Sequence, residues 1–377
     1  MIDTCPLCYE DDILPFYHIA SVPATMHLLC RTQQEALNVK RGVLDLVICN
    51  RCTFIFNRQF DPELLDYNKN YDNNSLASSF FQQHIESITD NIIAHITDRH
   101  QKFVEIGCGS GVFLSNLISK LSYPTLAHGF DPAYKPNINS HLSPWVTIYP
   151  ENFVNQKTNA DVVIARHLIE HIQDPCSLVD SIINSSNRSL LLVLETPCSE
   201  WIIENTVFWD LFYEHCSLFS SMSISIMLEQ LGIDNIEIQK VFNDQFLLVF
   251  AKKGEQEKGK HSTLLTKIEG FKDRADKKLK MTKDAVVNYN GKAAIWGVGA
   301  KGVTLANLLD KDSFLCGFEI NKDKVGGYIP GTGHPIYHAD SIREHDIKAI
   351  ILMNPNYKVE TLERFNRLGI AIEIIEA

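Results

Sequence analysis

The sequence has no apolar run long enough to cross a membrane and few clusters of basic residues. Across 377 residues, no window approaches the roughly 20 consecutive apolar residues that a membrane helix needs. The formal net charge is −11, and such a charge repels nucleic-acid phosphates and anionic lipid surfaces. We therefore expect no nucleic-acid or membrane partner, and a small molecule as the substrate.

The N-terminal stretch, MIDTCPLCYE, lacks the basic region and apolar core of a secretory signal. We therefore expect a cytoplasmic protein. In a reducing compartment, its ten cysteines are not expected to form a disulfide framework. With 45% hydrophobic residues, the chain can fill more than one folded core. The sequence leaves open whether the protein is a monomer or a homodimer.

Two parts of the chain alternate apolar runs with helical patterns, which predicts mostly parallel α/β units. KFVEIG, TLAHGFD, DVVIARH, LLLVLETP and FLLVFAKK are the predicted strands of the larger part, and AAIWG, FLCGFEI, AIILM and AIEIIEA those of the smaller. Between the two parts, a charged stretch precedes a predicted helix from about Leu264 to Val287. The predicted boundaries are an N-terminal domain at 1–66, a central domain at 67–253, a linker and helix at 254–285, and a C-terminal domain at 286–377.

Four cysteines of the N-terminal domain form two C-x-x-C pairs, Cys5 with Cys8 and Cys49 with Cys52. Each pair places two thiolates on a tight knuckle, and two knuckles supply the four ligands of a tetrahedral zinc site. With four protein ligands the metal would have no open position, so we expect structural rather than catalytic zinc. The alternative is four unrelated buried thiols.

A glycine loop, FVEIGCGSGVFL, joins a predicted strand to a predicted helix. Glu105, Gly107, Gly109 and Gly111 form the pattern E-x-G-x-G-x-G, in which the glycines let a ligand approach the backbone. A nicotinamide fingerprint would instead be G-x-G-x-x-G. Asp131 ends the next predicted strand, where an acid can accept hydrogen bonds from ribose hydroxyls. This pattern predicts a nucleoside-containing cofactor; the alternative is a glycine-rich turn without a ligand.

The loop resembles motif I of the class I methyltransferases that use S-adenosylmethionine. The resemblance implies a Rossmann-like central domain, with the acid at Glu105 near the methionine end of the cofactor. Asn152 and Phe153 would then lie at the adenine edge; the alternative is an ordinary loop without a ligand. The segment RHLIEHIQDP matches one that lies beside the sulfonium in this family, which adds Arg166 to the expected cofactor site.

The order of zinc knuckles, methyltransferase motif, FYEHCSLFS and a terminal α/β unit resembles the sugar C-methyltransferases that act on the third carbon of nucleotide-linked 4-keto-6-deoxysugars. The resemblance covers nearly the whole chain. It implies that His215 is the general base, that Glu214 orients the substrate and that His171 assists at the enolate oxygen. It also implies that Tyr71 reaches the sugar.

Two positions depart from that family. Its usual motif is Y-H-E-H, whereas this chain has Phe212, Tyr213, Glu214 and His215, so a hydroxyl occurs only one position later, at Tyr213. His167 stands where the sugar enzymes tend to have Asn, and it joins the candidate catalytic residues. His167 and His171 are spaced for one helix face, for which metal binding or capping are the alternatives.

The terminal domain has its own glycine loop, AAIWGVGAKGVTLAN. Gly297, Gly299 and Gly302 form G-x-G-x-x-G, which by itself predicts a dinucleotide. In a sugar C-methyltransferase, Gly299, Gly302 and Lys301 would instead hold the diphosphate of a nucleotide-linked sugar. NAD and an empty loop are the alternatives.

Asn354 and Tyr357 are expected to line this substrate site. The sequence therefore predicts a zinc-stabilised, S-adenosylmethionine-dependent C-methyltransferase of a nucleotide-linked keto-deoxysugar. Its rivals are an O- or N-methyltransferase of another small-molecule or natural-product acceptor, and a nucleotide-binding scaffold.

Overall fold

The computed structural model describes residues 2–65, 78–96, 101–135, 142–153, 156–252 and 264–377. Within them the chain forms three β-sheets that belong to three successive units. No helix in the described ranges has the length and apolar character to cross a membrane.

The N-terminal unit is an antiparallel sheet. Its elements are β1 (Ile13–Pro23), α1 (Gln33–Leu37), β2 (Arg41–Cys49) and β3 (Ile55–Asn57). Strands β1 and β2 form a long hairpin with Ile13 opposite Cys49, so the second cysteine pair begins where this hairpin ends. Strands β2 and β3 contain the apolar runs LDLVIC and IFN, on either side of the second cysteine pair.

The central unit alternates strands and helices, as predicted. Its elements are α2 (Ser79–Ala94), β4 (Phe103–Ile106), α3 (Val112–Lys120), β5 (Ala127–Phe130), β6 (Val146–Tyr149), β7 (Val162–Arg166), α4 (Pro175–Ser185), β8 (Leu191–Pro197), α5 (Ser199–Glu204), β9 (Ser217–Leu218), α6 (Ser221–Gln230), β10 (Asn235–Val241) and β11 (Phe246–Lys252).

Seven of these strands form one sheet in the order β10-β11-β8-β7-β4-β5-β6. The strands from β8 to β6 are parallel, and β11 runs antiparallel to both β8 and β10. Strands β7 and β8 are almost entirely buried, because helices cover both faces of a parallel sheet. The strand order reverses between β4 and β7, and ligands of such sheets bind outside the carboxyl ends of the strands at this switch point.

Strand β9 leaves the central unit and joins the N-terminal sheet. Leu218 pairs with Ile55 and Ser217 with Phe56, antiparallel to β3. The segment FYEHCSLFS therefore ends in the fourth strand of the sheet that carries the cysteine pairs.

The C-terminal unit is a smaller, fully parallel α/β sheet in the order β14-β13-β12-β15-β16. Its switch point lies between β12 and β15. Its elements are α7 (Leu264–Ile268), α8 (Phe271–Val287), β12 (Ala293–Trp296), α9 (Ala300–Leu308), β13 (Cys316–Glu319), β14 (Ile336–His338), β15 (Ala349–Leu352), α10 (Lys358–Leu368) and β16 (Glu373–Glu376). The predicted helix 264–287 is thus two helices, because Gly270 (φ 67°) interrupts it.

The units share a continuous apolar core. Phe208 and Trp209 of the central unit pack in one cluster with Ile295 and Met353 of the C-terminal unit. The Trp209 indole N–H also donates to the carbonyl oxygen of Met353 at 3.1 Å. This packing brings the switch points of the two parallel sheets to face each other.

Candidate active site

The central glycine loop follows β4, where the resemblance placed the cofactor. Gly107, Gly109 and Gly111 all have positive φ. A Cβ on Gly111 would lie 1.9 Å from Cδ1 of Ile148, so this glycine allows the loop to pack on β6. A Cβ on Gly109 would meet no atom within 4 Å among the described residues. The loop backbone is therefore open at Gly109, as close approach of a ligand requires.

Glu105 lies beneath this loop on β4 and is 3% exposed. Burial raises the pKa of Glu105 to about 8, although the charge of Arg166 partly opposes the shift. Its Oε2 has no hydrogen-bond partner among the described residues. A buried carboxylate oxygen without a partner fits a ligand that brings a cationic donor, such as the ammonium group of S-adenosylmethionine.

Asp131 ends β5 beside the loop. Its Oδ2 accepts the backbone N–H of Gly109 and its Oδ1 that of Ala133, each at 2.8 Å. The carboxylate is thereby fixed at the open edge of the sheet, where a ribose would lie. Phe153 is buried and packs edge-on against Phe130, while the neighbouring Asn152 is exposed.

Arg166 at the end of β7 completes this region. Its Nε donates to Oε2 of Glu195 at 2.7 Å, and its guanidinium lies over the ring of Phe113 at 4.1 Å. Glu195 also pairs with His84 at 2.6 Å. Burial alone would raise the pKa of Glu195. Its interactions with Arg166, His167 and His84 instead hold this pKa far below its usual range.

A cavity of about 350 Å³ lies between the central and C-terminal units. One wall comes from the segment after β7, with His167, Glu170 and His171, and from His215. The opposite wall comes from the glycine loop after β12 and the segment after β15. The cavity therefore lies between the segment that follows β7 and the switch point of the C-terminal sheet. Leu168, in the same segment as His167, lies next to Gly107 of the central glycine loop.

His215 and His171 lie side by side in the cavity wall. Their ring centroids are 4.8 Å apart and nearly perpendicular, and the ring of Phe212 lies 4.0 Å from that of His215. His215 Nδ1 is buried without a hydrogen-bond partner among the described residues. Burial lowers the pKa of His215 well below its usual value, and the charges of nearby groups add to this shift; these groups are His171, His167, His27 and Lys301. The imidazole of His215 is therefore neutral at pH 7.

His167 lies beside this pair, between two buried acids. Its Nδ1 is 3.4 Å from Oε1 of Glu170, and its Nε2 is 3.5 Å from Oε2 of Glu195. Burial acts to lower the pKa of His167, but Glu195 and Glu170 outweigh it and raise that pKa. The two histidines His167 and His215 therefore have opposite charge preferences.

Other predicted catalytic residues do not line the cavity. Glu214 is fully buried, and its carboxylate accepts the backbone N–H of Met26 in the N-terminal unit. The Tyr213 hydroxyl accepts the backbone N–H of Asp61 at 2.8 Å, and its ring packs against Gly42. It thus does not replace the hydroxyl missing at Phe212. The predicted sugar contact Tyr71 lies outside the described residues.

The glycine loop of the C-terminal unit faces the cavity from the other side. Gly299 is open, with no atom within 4 Å of an added Cβ in the described part of the chain, whereas a Cβ on Gly302 would lie 2.1 Å from the carbonyl oxygen of Gly297. Gly302 thus permits close packing of α9. Lys301 lines the cavity and pairs with Asp210 at 2.7 Å.

Asn354 and Tyr357, which were predicted to line a substrate site, both lie in the wall of this cavity. Asn354 exchanges two hydrogen bonds with the amide of Gln245, at 2.9 and 3.0 Å, and so connects the two units. Glu319 ends β13 and accepts the backbone N–H groups of Val298, Ile320 and Asn321.

Several lining residues carried no recognisable signal in the sequence. Phe242 and Phe246 stack at 5.0 Å on either side of a turn, and Phe242 itself has φ 55°. Lys324 is buried, and its Nζ donates to the carbonyl oxygen of Val298 at 3.1 Å beside the second glycine loop. Glu170 stood between the two predicted histidines, and only its burial among apolar residues could have identified it.

The four predicted cysteines meet in the N-terminal unit. Cys5 and Cys52 approach to 3.5 Å between sulfurs, and Cys8 and Cys49 to 3.4 Å. All four side chains are buried, and their sulfurs lie within 4.8 Å of one another. A tetrahedral zinc ion with Zn–S bonds of about 2.3 Å needs sulfurs roughly 3.8 Å apart, so this cluster fits zinc.

The comparison with known families agrees with this architecture. Residues 80–238 match the sequence model described as a methyltransferase domain, and residues 249–369 match the C-methyltransferase C-terminal domain. The C-methyltransferase NovU of Streptomyces niveus is 24% identical over 247 residues, which cover 63% of this chain and 57% of NovU. The chain thus spans less than two thirds of the length of that relative.

Among solved structures, methyltransferases are similar to part of this chain at low identity. Magnesium protoporphyrin IX methyltransferase (ChlM) from Synechocystis PCC 6803 with bound SAH is 15% identical, with a TM-score of 0.35, over 46% of this chain and 84% of its own. The CurJ carbon methyltransferase is 13% identical, with a TM-score of 0.37, over 47% of this chain and 56% of its own.

The two sheet topologies confirm the predicted Rossmann-like domains, and the family matches confirm the resemblance to C-methyltransferases. The chain thus carries a methyltransferase domain followed by a C-methyltransferase C-terminal domain.

Proposed function

We propose that the protein is an S-adenosylmethionine-dependent C-methyltransferase that methylates a nucleotide-linked keto-deoxysugar through an enolate. Its general base is His215. The observation that carries the proposal is the buried His215, whose Nδ1 has no hydrogen-bond partner among the described residues and whose pKa is lowered by burial, in a cavity lined on its opposite side by the glycine loop of the C-terminal unit. Methylation at carbon needs such a base, because the proton beside a ketone is only weakly acidic.

The proton balance follows from the positions of the histidines. A neutral His215 accepts the proton from the carbon beside the ketone, and the electron pair of the broken C–H bond moves to the ketone oxygen as an enolate. His171, whose ring is 4.8 Å away, assists at the enolate oxygen or in return of the proton. The apolar rings of Phe212, Phe242 and Phe246 limit access of water.

The cofactor would be held on the other side of the segment after β7. Glu105 would bind the ammonium group, Asp131 the ribose, and the backbone at Gly109 would pass beside the ligand, with Arg166, Asn152 and Phe153 around it. When bound, S-adenosylmethionine supplies an electrophilic methyl group. The chain itself provides orientation, proton transfer and exclusion of water.

The acceptor would extend across the cavity to the C-terminal unit. Lys301 and Lys324 put two cations at the glycine loop after β12, and an open loop with nearby lysines suits a diphosphate. Asn354 and Tyr357 would contact the remainder of the nucleotide. Zinc at Cys5, Cys8, Cys49 and Cys52 would stabilise the N-terminal unit, which has only a small core of its own.

Exchange of hydrogen for solvent deuterium tests the enolate directly. The protein is incubated in D₂O with nucleotide-linked 4-keto-6-deoxyhexoses and S-adenosylhomocysteine, and label at the carbon beside the ketone is followed by mass spectrometry and NMR. We expect exchange with the wild type and at least a ~100-fold slower rate with His215→Ala. His95→Asn, which alters a histidine paired with Glu237 outside the cavity, is the control.

The exchange assay and a parallel incubation in which S-adenosylmethionine replaces S-adenosylhomocysteine together separate the rival reactions. Methyl transfer without any carbon-bound label would indicate an O- or N-methyltransferase, because a heteroatom acceptor already has a lone pair. Full exchange in His215→Ala would exclude His215 as the base. A thermal-shift series of nucleotide sugars with S-adenosylhomocysteine present selects the acceptors, since a ligand that binds the native form raises its melting temperature.

A further inference from the structure

His167 has a backbone conformation that histidine adopts only infrequently. Its φ of 49° lies in the left-handed region, where side chains other than glycine are strained. Its backbone N–H donates to the carbonyl oxygen of Glu195 at 2.7 Å, and its ring stands edge-on to Phe246 at 4.7 Å. The fold therefore fixes this ring in the cavity wall despite backbone strain, a combination that is common at functional sites.

The ring is held between two acids that have no access to solvent. Glu170 and Glu195 are both 0% exposed, and they lie 3.4 and 3.5 Å from the two ring nitrogens of His167. Two buried negative charges on opposite sides of an imidazole favour its protonated form. The other oxygen of Glu170, Oε2, accepts a hydrogen bond from the Thr196 hydroxyl at 3.1 Å, which keeps the carboxylate in place.

The other charged and titratable groups around His167 come from every neighbouring element. They are Arg166 on β7, Glu195 on β8 with His84 of α2 behind it, Glu170 and His171 in the turn after β7, and His215 across the cavity wall. Arg166 contacts the same oxygen of Glu195 as His167, Oε2, and its charge acts to lower the pKa of His167, but its guanidinium covers Phe113 and is not part of the cavity lining. His167 is thus the member of this group that carries positive charge directly into the cavity wall.

We propose that His167 is a fixed cation of the acceptor site, whose imidazolium stabilises the enolate oxygen through its field and keeps the neighbouring His215 uncharged. This proposal rests on the proposed enolate reaction. His167 retains its proton throughout, since the proton from carbon goes to His215, and no bond to His167 is made or broken. In a cavity with little water, a fixed charge acts more strongly on a developing oxyanion than it would in solvent.

The role accounts for both departures of this chain from the related motif. Phe212 lies 4.0 Å from His215 and offers no hydroxyl to an oxyanion. A histidine cation at position 167, where the related enzymes tend to have Asn, supplies positive charge instead. The loss of one stabilising group and the gain of another thus occur on the same side of the cavity.

The test is a titration of His215 by ¹⁵N-edited NMR in the wild type and in His167→Asn and His167→Lys, with no substrate present. We expect the His167 ring to carry two protons at pH 7.5 while His215 is neutral. Removing the cation in His167→Asn should raise the pKa of His215 by about one unit, whereas His167→Lys, which keeps a charge, should change it by less. His95→Asn serves as the control outside the cavity.

Kinetics provide the second measurement, with thymidine and uridine diphosphate-linked 4-keto-6-deoxyhexoses as probes. In His167→Asn we expect kcat for deuterium exchange to fall at least tenfold, KM to change less than threefold, and the acid limb of the pH profile to move to higher pH. A neutral His167 at pH 7.5, or an unchanged pKa of His215 in His167→Asn, would overturn the proposal. Absence of exchange in the wild type would reject the enolate reaction, and with it the role of His167 in stabilising the enolate oxygen. The NMR titration would still decide whether His167 is charged.

Discussion

The carboxylate of Glu214 accepts the backbone N–H of Met26, from a segment 188 residues earlier in the chain. The residue next to the proposed base is therefore bonded to the N-terminal unit. His27, the neighbour of Met26, lines the cavity. The contact between Glu214 and Met26 therefore helps to position both His215 and His27 in the cavity wall.

This contact makes Glu214 a positioning residue in the structure. We expect Glu214→Ala to lower the free energy of unfolding by about 1–3 kcal/mol, because it leaves a buried N–H without its acceptor, whereas Glu214→Gln keeps an oxygen and should cost less. Urea denaturation measures both. If Glu214 instead binds substrate hydroxyls, as the resemblance implies, Glu214→Gln would raise KM strongly at unchanged stability.

Glu105 should make cofactor affinity depend on pH. Its pKa is raised to about 8 by burial, and a cationic ammonium group binds the ionised form. Below pH 8 binding must therefore release a proton, and we expect the Kd for S-adenosylhomocysteine to fall roughly tenfold per unit between about pH 6 and pH 8. Calorimetry in buffers of different ionisation enthalpy detects the proton.

Two variants separate this effect from general loss of binding. Glu105→Gln should bind S-adenosylhomocysteine more weakly than the wild type, with a Kd that no longer depends on pH. Asp131→Asn should also bind S-adenosylhomocysteine more weakly, but its Kd should keep the pH dependence of the wild type. A pH dependence that persists in Glu105→Gln would assign the proton to another group.

The four-cysteine cluster should hold one zinc ion per chain. Elemental analysis of the purified protein measures the metal, and Cys49→Ala should lose it and lower Tm by about 10 °C or more, because binding energy at such sites is folding energy. Cys30→Ala, at a buried thiol outside the cluster, is the control and should retain zinc. A second equivalent of metal would point to Glu170, His171 and His215, whose ligand atoms also lie within 4.8 Å, and would contradict a free base.

The ion pair between Lys301 and Asp210 allows a matched test of nucleotide binding. Both Lys301→Met and Asp210→Asn break this 2.7 Å contact, but only the first removes a cation from the cavity. We expect Lys301→Met to raise the Kd for thymidine or uridine diphosphate about tenfold, and Asp210→Asn to leave it equal or lower. Equal weakening in both variants would mean that the pair acts only by joining the two units.

The strand runs and glycine loops could be predicted because their causes are local. Buried parallel strands read as continuous apolar segments, and the predicted strands of both α/β units coincide with β4, β5, β7, β8 and β11 and with β12, β13, β15 and β16. Strands β6, β10 and β14 were missed. Their sequences mix polar with apolar residues, because all three lie at sheet edges, where strands are less fully buried.

Side-chain direction within FYEHCSLFS could not be predicted, because partners far along the chain decide it. Tyr213 turns toward Asp61, 152 residues away, and Glu214 toward Met26, while His215 alone of these three faces the cavity. Sequence spacing cannot distinguish these directions in an irregular segment. Likewise, the pairing of His167 with Glu195 depends on two parallel strands lying side by side.

Strand β9 also has a consequence for how the chain folds. The sheet that carries the cysteine pairs takes its fourth strand from residues 217–218, long after residue 66. During synthesis the N-terminal sheet therefore remains incomplete, with the edge of β3 unpaired, until most of the methyltransferase domain has left the ribosome. A fragment ending at residue 66 would expose that edge permanently, so the first unit matures only together with the second.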